Sequence, residues 1–249
     1  MPKVLKVKDK TDAFTKKFGK MVDLPMRGLL IARSGLGKSN LLVNLMANHD
    51  FPYHKVYDGD DIHIFSPTIK QDKKMEIIVE QYDIPDTNLH TEYSDSLVMN
   101  VYDTMIEDFE ESIQEKEKPR HKLFIIDDLS SSGSFSKNRF NAMNVLFCNS
   151  RKFLVSIILL AQNYSHLTPS IRNNANFIAA FNMNLSSLEA LEMDHNYLEN
   201  KKEFIKLFRE NVGKGGRNDF FVINYTNDFD AMYMNKEFKP IKMNLIEKK

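Results

Sequence analysis

The run from Gly28 to Ser39, Gly-Leu-Leu-Ile-Ala-Arg-Ser-Gly-Leu-Gly-Lys-Ser, joins a short apolar segment to a glycine-rich loop that ends in a lysine and a serine. Its spacing is that of G-x-x-x-x-G-K-[ST], with Ala32 in place of the first glycine. A loop of this kind turns backbone N–H groups, and the N-terminus of the helix behind it, toward a polyphosphate. Ser34, Gly35, Leu36, Gly37, Lys38, Ser39 and Asn40 are therefore the expected nucleotide-binding residues. Gly37 lets the backbone approach the phosphates, and Lys38 reaches the β- and γ-phosphates as a point charge. Ser39 offers its hydroxyl to Mg²⁺, the hard cation that accompanies nucleotide phosphates. Ala32 falls where the strand ends, a position that tolerates the change.

A second group of residues suits hydrolysis. Leu123-Phe-Ile-Ile-Asp-Asp128 is an apolar strand ending in two carboxylates. A turn or a helix cap also explains such an ending. Downstream of a phosphate loop, this strand is expected beside the loop's own strand, with Asp127 holding Mg²⁺ and Asp128 orienting and deprotonating the attacking water. Asp128 is one methylene shorter than glutamate, which leaves room for an intervening water. Ser156-Ile-Ile-Leu-Leu-Ala-Gln162 is a buried strand closed by an amide. Gln162 can contact both the γ-phosphate and the water, or simply cap the strand. Arg151, at the end of the preceding helix, is a candidate arginine finger for a neighbouring subunit's nucleotide, a contribution of roughly 10³–10⁵ in kcat. Arg172 is a second candidate.

The elements that must position these residues alternate. Strands are expected at Arg27–Ala32, Ile62–Ser66, Lys122–Asp127, Leu154–Ala161 and Asn176–Phe181. Helices are expected at Lys38–Ala47, around Lys70–Gln81, at Leu97–Glu117, at Lys137–Ser150 and from Pro169. Two more helices, Ser186–Asp194 and Glu199–Asn211, precede a hairpin of Asp219–Asn224 with Ala231–Met234. The alternation predicts an α/β fold with a mainly parallel sheet flanked by helices. Leu154–Ala161 is continuously apolar, as a central parallel strand should be. Residues 1–23 carry seven lysines against three aspartates without a sustained apolar period. They read as a basic N-terminal arm, followed by one domain over 24–235 and a tail over 236–249.

Composition narrows the classes. The 249 residues are 42% hydrophobic and 27% charged, and 34 basic residues balance 34 acidic ones, so bulk charge does not advertise nucleic-acid binding. No apolar run is long enough to span a bilayer. Cys148 is the single cysteine, expected as a small core residue on an apolar helix face. A reducing, soluble compartment is expected. Asn200-Lys-Lys-Glu203 resembles a guanine-reading N-K-x-D but opens a charged helix, and the histidines lack metal-ligand spacing. Gly213–Asn218 reads as a hairpin turn, or as a pore-facing DNA loop carrying Lys214 and Arg217. Met143, Phe147, Phe177 and Phe181 read as core.

Taken in order, LPMRGLLIARSGLGKSNLLVNLM, IFSPT, LFIIDD and NSRKFLVSIILLAQN with HLTPSIRNNAN resemble the FtsK–HerA superfamily. Within it the similarity is to the genome-packaging ATPases of poxviruses, giant viruses and virophages, over roughly residues 22–225. The resemblance implies a P-loop NTPase with a RecA-like core. It implies an ATPase working as a homo-oligomeric ring, pentamer or hexamer, that moves double-stranded DNA into a preformed capsid. Lys38 and Ser39 then bind ATP and Mg²⁺, Asp127 and Asp128 form the acidic pair, Gln162 is the sensor, and Arg151 matches the arginine before the sensor strand. Lys152 stands where relatives commonly have histidine and is given no role. Capsid proteins are implied partners, and the host cytoplasm or viral factory, with virion association, the implied location. Two other readings stay open: a P-loop small-molecule kinase, and a weakly hydrolysing nucleotide-binding scaffold on the capsid.

Overall fold

Lys16–Phe18 (β1) and Met21–Leu24 (β2) form a two-stranded antiparallel hairpin in the computed structural model, which describes residues 10–127, 141–213 and 215–242. The hairpin lies inside the segment expected as a basic arm. Its alternating burial puts Val22 and Leu24 into the core and leaves the lysines outside. The Tyr53 hydroxyl donates to the Val22 carbonyl at 2.9 Å, which fastens β2 to the body of the domain.

Eight strands make the main sheet. In chain order they are Arg27–Ile31 (β3), Ile62–Phe65 (β4), Leu89–His90 (β5), Lys122–Asp127 (β6), Val155–Ala161 (β7), Phe177–Phe181 (β8), Phe220–Asn224 (β9) and Tyr233–Met234 (β10). Across the sheet the order is β10-β9-β8-β3-β7-β6-β4-β5. The six strands from β8 to β5 run parallel, and β9 and β10 continue the sheet antiparallel. The fold is thus α/β with a mostly parallel sheet and antiparallel C-terminal strands. One expectation is corrected. The strand of Asp127 is not beside the strand of the phosphate loop, because β7 is inserted between β3 and β6. β7 can occupy that place because all seven of its residues are buried. Its one hydroxyl, on Ser156, is satisfied by accepting the Met26 N–H at 3.0 Å.

Helices cover both faces. Lys38–Ala47 (α1) and Lys73–Tyr82 (α2) pack on one, where Leu42, Leu45, Met75 and Ile78 meet Leu30, Ile125, Ile158 and Phe181. The other face carries Asp95–Gln114 (α3), Ala142–Asn149 (α4), Pro169–Asn174 (α5), Leu185–His195 (α6) and Lys201–Asn211 (α7), whose Tyr102, Leu146, Ile171, Leu191 and Phe204 meet Leu29, Ile126, Leu159 and Phe221. Leu29 and Leu30 point to opposite cores because successive strand residues alternate faces. Full burial of such side chains stabilises by about 1.5–3 kcal/mol each, so β3 is clamped from both sides.

Met143, Phe147, Phe177 and Phe181 are core residues. Cys148 is not: it is exposed. The buried stripe of α4 runs through Ala142, Met143, Leu146 and Phe147, and the next position turns outward. The expected helix over residues 137–150 begins at Ala142 among the described residues. The Ser/Gly-rich loop, residues 137–140, Asp128 and Lys214 lie outside them. Part of the expected tail is integrated as well: Met234 bridges to Pro240, and Phe238 packs against the α1–α2 core.

Candidate nucleotide-binding site

Six helices, α2 to α7, begin with a side-chain cap on a backbone N–H, from Asp72, Ser94, Asn141, Thr168, Asn184 and Asn200 respectively. Asn200 is therefore a helix cap, accepting the Glu203 N–H at 3.0 Å. α1 differs. Its capping position is Gly37, with no side-chain acceptor, at φ 106°. The first-turn N–H groups and the positive end of the helix dipole are thus left for an anion. Gly35 also has a positive φ, 78°. At Gly37 the backbone conformation is what matters, since a β-carbon would make only an ordinary contact, 3.4 Å from Cε1 of Phe181.

Lys38 folds back over the loop, and its Nζ donates to the Ala32 carbonyl at 2.9 Å. The contact uses a backbone oxygen, and Ala32 has a negative φ and is fully buried. Nothing at that position needs glycine. The loop is tied to the sheet by the Ala32 N–H, which donates to the Ala161 carbonyl at 3.1 Å.

A cavity of about 240 Å³ opens at this edge of the sheet. Ser34, Gly35, Gly37, Lys38, Ser39 and Asn40 line it from the loop and α1, Asp127 from the end of β6, and Gln162 from just beyond β7. Parallel strands deliver these side chains to the same edge, because all of them end there. Leu36 is the one expected loop residue whose side chain points elsewhere, into the apolar cluster under α1. Among the described residues Arg33, Lys38 and Lys74 face one lining carboxylate, Asp127. That balance attracts a polyanion. The oxygen pair of Ser39 and Asp127 fits Mg²⁺, which takes one or two protein ligands and fills its other positions with phosphate oxygens and water.

Four lining residues escaped the sequence reading: Arg33, Thr68, Lys74 and Asn218. Thr68 ends the IFSPT segment after β4, and Lys74 lies in the first turn of α2, where the Asp72 cap fixes its backbone at 2.9 Å. Asn218 belongs to the Gly-rich turn before β9. That turn is pinned by Asp219, which accepts from the Gly215 N–H at 2.9 Å and from Lys236 Nζ at 2.7 Å. The turn therefore stands against the phosphate loop, with Arg217 and Asn218 beside Gly35 and Gly37.

The two arginines separate. Arg151 is exposed in a short 3-10 helix, Ser150–Phe153, that leads into the start of β7. It borders a polar cavity with Asp12, Asp23, Asn176 and Thr226, at the sheet edge opposite Gln162. β7 has seven residues, about 20 Å at 3.3 Å per residue, so Arg151 cannot reach the cleft of its own chain. It lies close enough to Arg27 for the two charges, after burial, to hold the Arg27 guanidinium below its usual pKa. Arg172 is committed internally: it pairs with Asp194 at 3.1 Å and stacks over the Tyr164 ring at 5.4 Å.

A glycine-led helix, a lysine folded over the loop and a carboxylate reached across an inserted strand define a P-loop NTPase. Residues 13–225 match the model of the poxvirus A32 protein family, and the chain belongs to that family. Among solved structures, the chain is similar to the genome-packaging NTPase B204 of Sulfolobus turreted icosahedral virus 2 in complex with AMP. The two are 14% identical with a TM-score of 0.54, over 86% of this chain and 96% of that one. B204, described as the DNA-packaging ATPase from Sulfolobus turreted icosahedral virus, matches at 14% identity and TM-score 0.52 over 88% of this chain and 100% of that one. EssC (ATPases 2 and 3) from Geobacillus thermodenitrificans matches at 14% identity and TM-score 0.50, over 70% of this chain and 35% of that one. No curated protein sequence is significantly similar to the chain.

Proposed function

We propose that this chain is an ATP-hydrolysing translocase of double-stranded DNA that packages a viral genome into a preformed capsid. The observation that carries the reading is the convergence of Lys38, Ser39, Asp127 and Gln162 on one cleft at a single sheet edge. Membership of the poxvirus A32 family and a fold like that of B204 support it.

The loop amides and α1 hold the triphosphate, and Lys38 leaves the Ala32 carbonyl for the β- and γ-oxygens. Ser39 and Asp127 would hold Mg²⁺, which would supply positive charge to offset that of the phosphates. Gln162 hydrogen-bonds the attacking water and the γ-phosphate, and Asp128, the next residue after Asp127, accepts the water's proton. Arg151 faces away from its own cleft, which suits a residue that completes the cleft of the next subunit in a ring. Such a finger contributes roughly 10³–10⁵ in kcat, or about 4–7 kcal/mol. The assembly would be a homo-oligomeric ring, pentamer or hexamer, acting with capsid proteins in the host cytoplasm or viral factory. Among the described residues no helix is long and apolar enough to cross a membrane.

The direct test is Lys38→Ala. Turnover of ATP should fall by at least a hundredfold with the fold intact; undiminished turnover would contradict the reading.

A further inference from the structure

A second cavity, of about 260 Å³, adjoins the phosphate cleft and is built of aromatic side chains. The two share Gly37, Asn40 and Asn218 as a common wall. Beyond that wall the lining is Leu41 and Asn44 of α1 with Phe51, Phe181, Phe220, Phe238 and Lys236. We infer that this cavity is the nucleobase site, and that the base packs on the ring of Phe238 with Phe51 edge-on beside it. The inference rests on the nucleotide reading above and adds to it the residues that hold the base.

Phe238 is the centre of the cavity wall. Its ring meets Phe51 edge-on at 5.4 Å, Phe220 at 5.9 Å and Phe177 at 6.4 Å. Phe51 and Phe238 keep partial exposure, so ring surface remains for a ligand. The backbone of Phe238 is left-handed, φ 55°, uncommon for a bulky residue and maintained only where surroundings enforce it. Here Asn235 enforces it: its Oδ1 accepts the N–H groups of Glu237 and Lys239, and its carbonyl accepts the Phe238 N–H at 2.9 Å. Lys236, in the same turn, is anchored on Asp219 at 2.7 Å. A strained turn held at three points thus presents an aromatic face next to a triphosphate loop.

The aromatic walls suit the flat face of a base. Every base has a π-face, and stacking on an aromatic side chain is tolerant of base identity. Among the described residues the lining includes no carboxylate, the group that would read the N–H edge of guanine. The bicyclic adenine of ATP offers a large face for this contact, and Asn40, Asn44, Asn218 and Lys236 supply polar groups in the same lining.

The test compares ATP with inorganic tripolyphosphate, each with Mg²⁺, on the full chain by calorimetry. The wild type should bind ATP at least tenfold more tightly than tripolyphosphate. Asn44 is exposed on α1, so Asn44→Trp fills the cavity without disturbing the core. It should weaken ATP about tenfold and leave tripolyphosphate within twofold. Phe238→Leu keeps apolar volume but removes the π-face, and it should show the same split. Equal losses on both ligands, or no loss on ATP in Asn44→Trp, overturn the base site. A wild type that binds both ligands equally overturns the base site and leaves the phosphate loop standing. A wild type that binds neither overturns the nucleotide reading as well.

Discussion

Gly37 and Phe181 stand so close that a β-carbon on the glycine would lie 3.4 Å from the ring. The contact joins the phosphate loop to the end of β8, two strands removed from Asp127 across β3 and β7. A β-carbon there would only reach ordinary contact, so it is the φ of 106° that requires glycine. Gly37→Ala would force a left-handed alanine into the phosphate loop, at about 1–2 kcal/mol. ATP affinity should fall more than tenfold while the melting temperature drops by only a few degrees. Calorimetric titration and thermal unfolding of the same preparation check both.

Arg151 and Arg172 make opposite predictions. Arg151→Ala should fold normally, because the side chain is exposed, and should poison wild-type assemblies. When mutant and wild-type chains are mixed, ATPase activity should fall faster than the mutant fraction. A linear decline would remove Arg151 from a neighbour's site.

Arg172→Ala should instead cost stability. It strands Asp194, which the guanidinium holds at 3.1 Å and which also accepts the Tyr164 hydroxyl at 2.9 Å. Breaking a largely buried pair costs about 2–4 kcal/mol here, a loss of roughly 5–10 °C in Tm. Urea unfolding measures it directly, and mixing experiments with this variant should give linear curves.

Acid should weaken the fold through the same neighbourhood. His195 is buried between the Tyr164 and Tyr225 hydroxyls, both at 2.6 Å. Burial first, and then the Arg172 charge, lower its pKa from 6.5 to about 4. The unfolded chain therefore binds the extra proton first. The stability contributed by neutral His195 is complete above pH 6.5 and declines as pH falls toward 4. At pH 5 the loss is about 2 kcal/mol. His195→Gln should flatten the difference between urea midpoints at pH 7.5 and pH 5; an unchanged difference would remove His195 as its source.

The phosphate loop was legible because its chemistry is local: glycines, a lysine and a serine at fixed spacing just before an amphipathic helix. The ends of β6 and the apolar run of β7 were legible for the same reason, since parallel strands buried on both faces leave continuous apolar segments. Strand order was not. Nothing in the composition of Leu123–Asp128 says whether it lies beside β3 or one strand away, and only the packed sheet shows β7 between them. The hairpin at residues 16–24 was hidden because Lys16, Lys17 and Lys20 surround the two residues that bury, Val22 and Leu24. Thr68, Lys74 and Asn218 reach the cleft from separate loops and helix turns, and no spacing links them. Cys148 sat among apolar neighbours, yet the helical phase put it outside.

The central claim is an ATP-driven DNA motor, and ATP turnover measured with and without double-stranded DNA, alongside particle mass, tests it most directly. The expected result is a ring-sized particle whose turnover rises several-fold with DNA, and no turnover at any DNA concentration in Lys38→Ala. Turnover that ignores DNA, from a particle of single-chain mass, would contradict it.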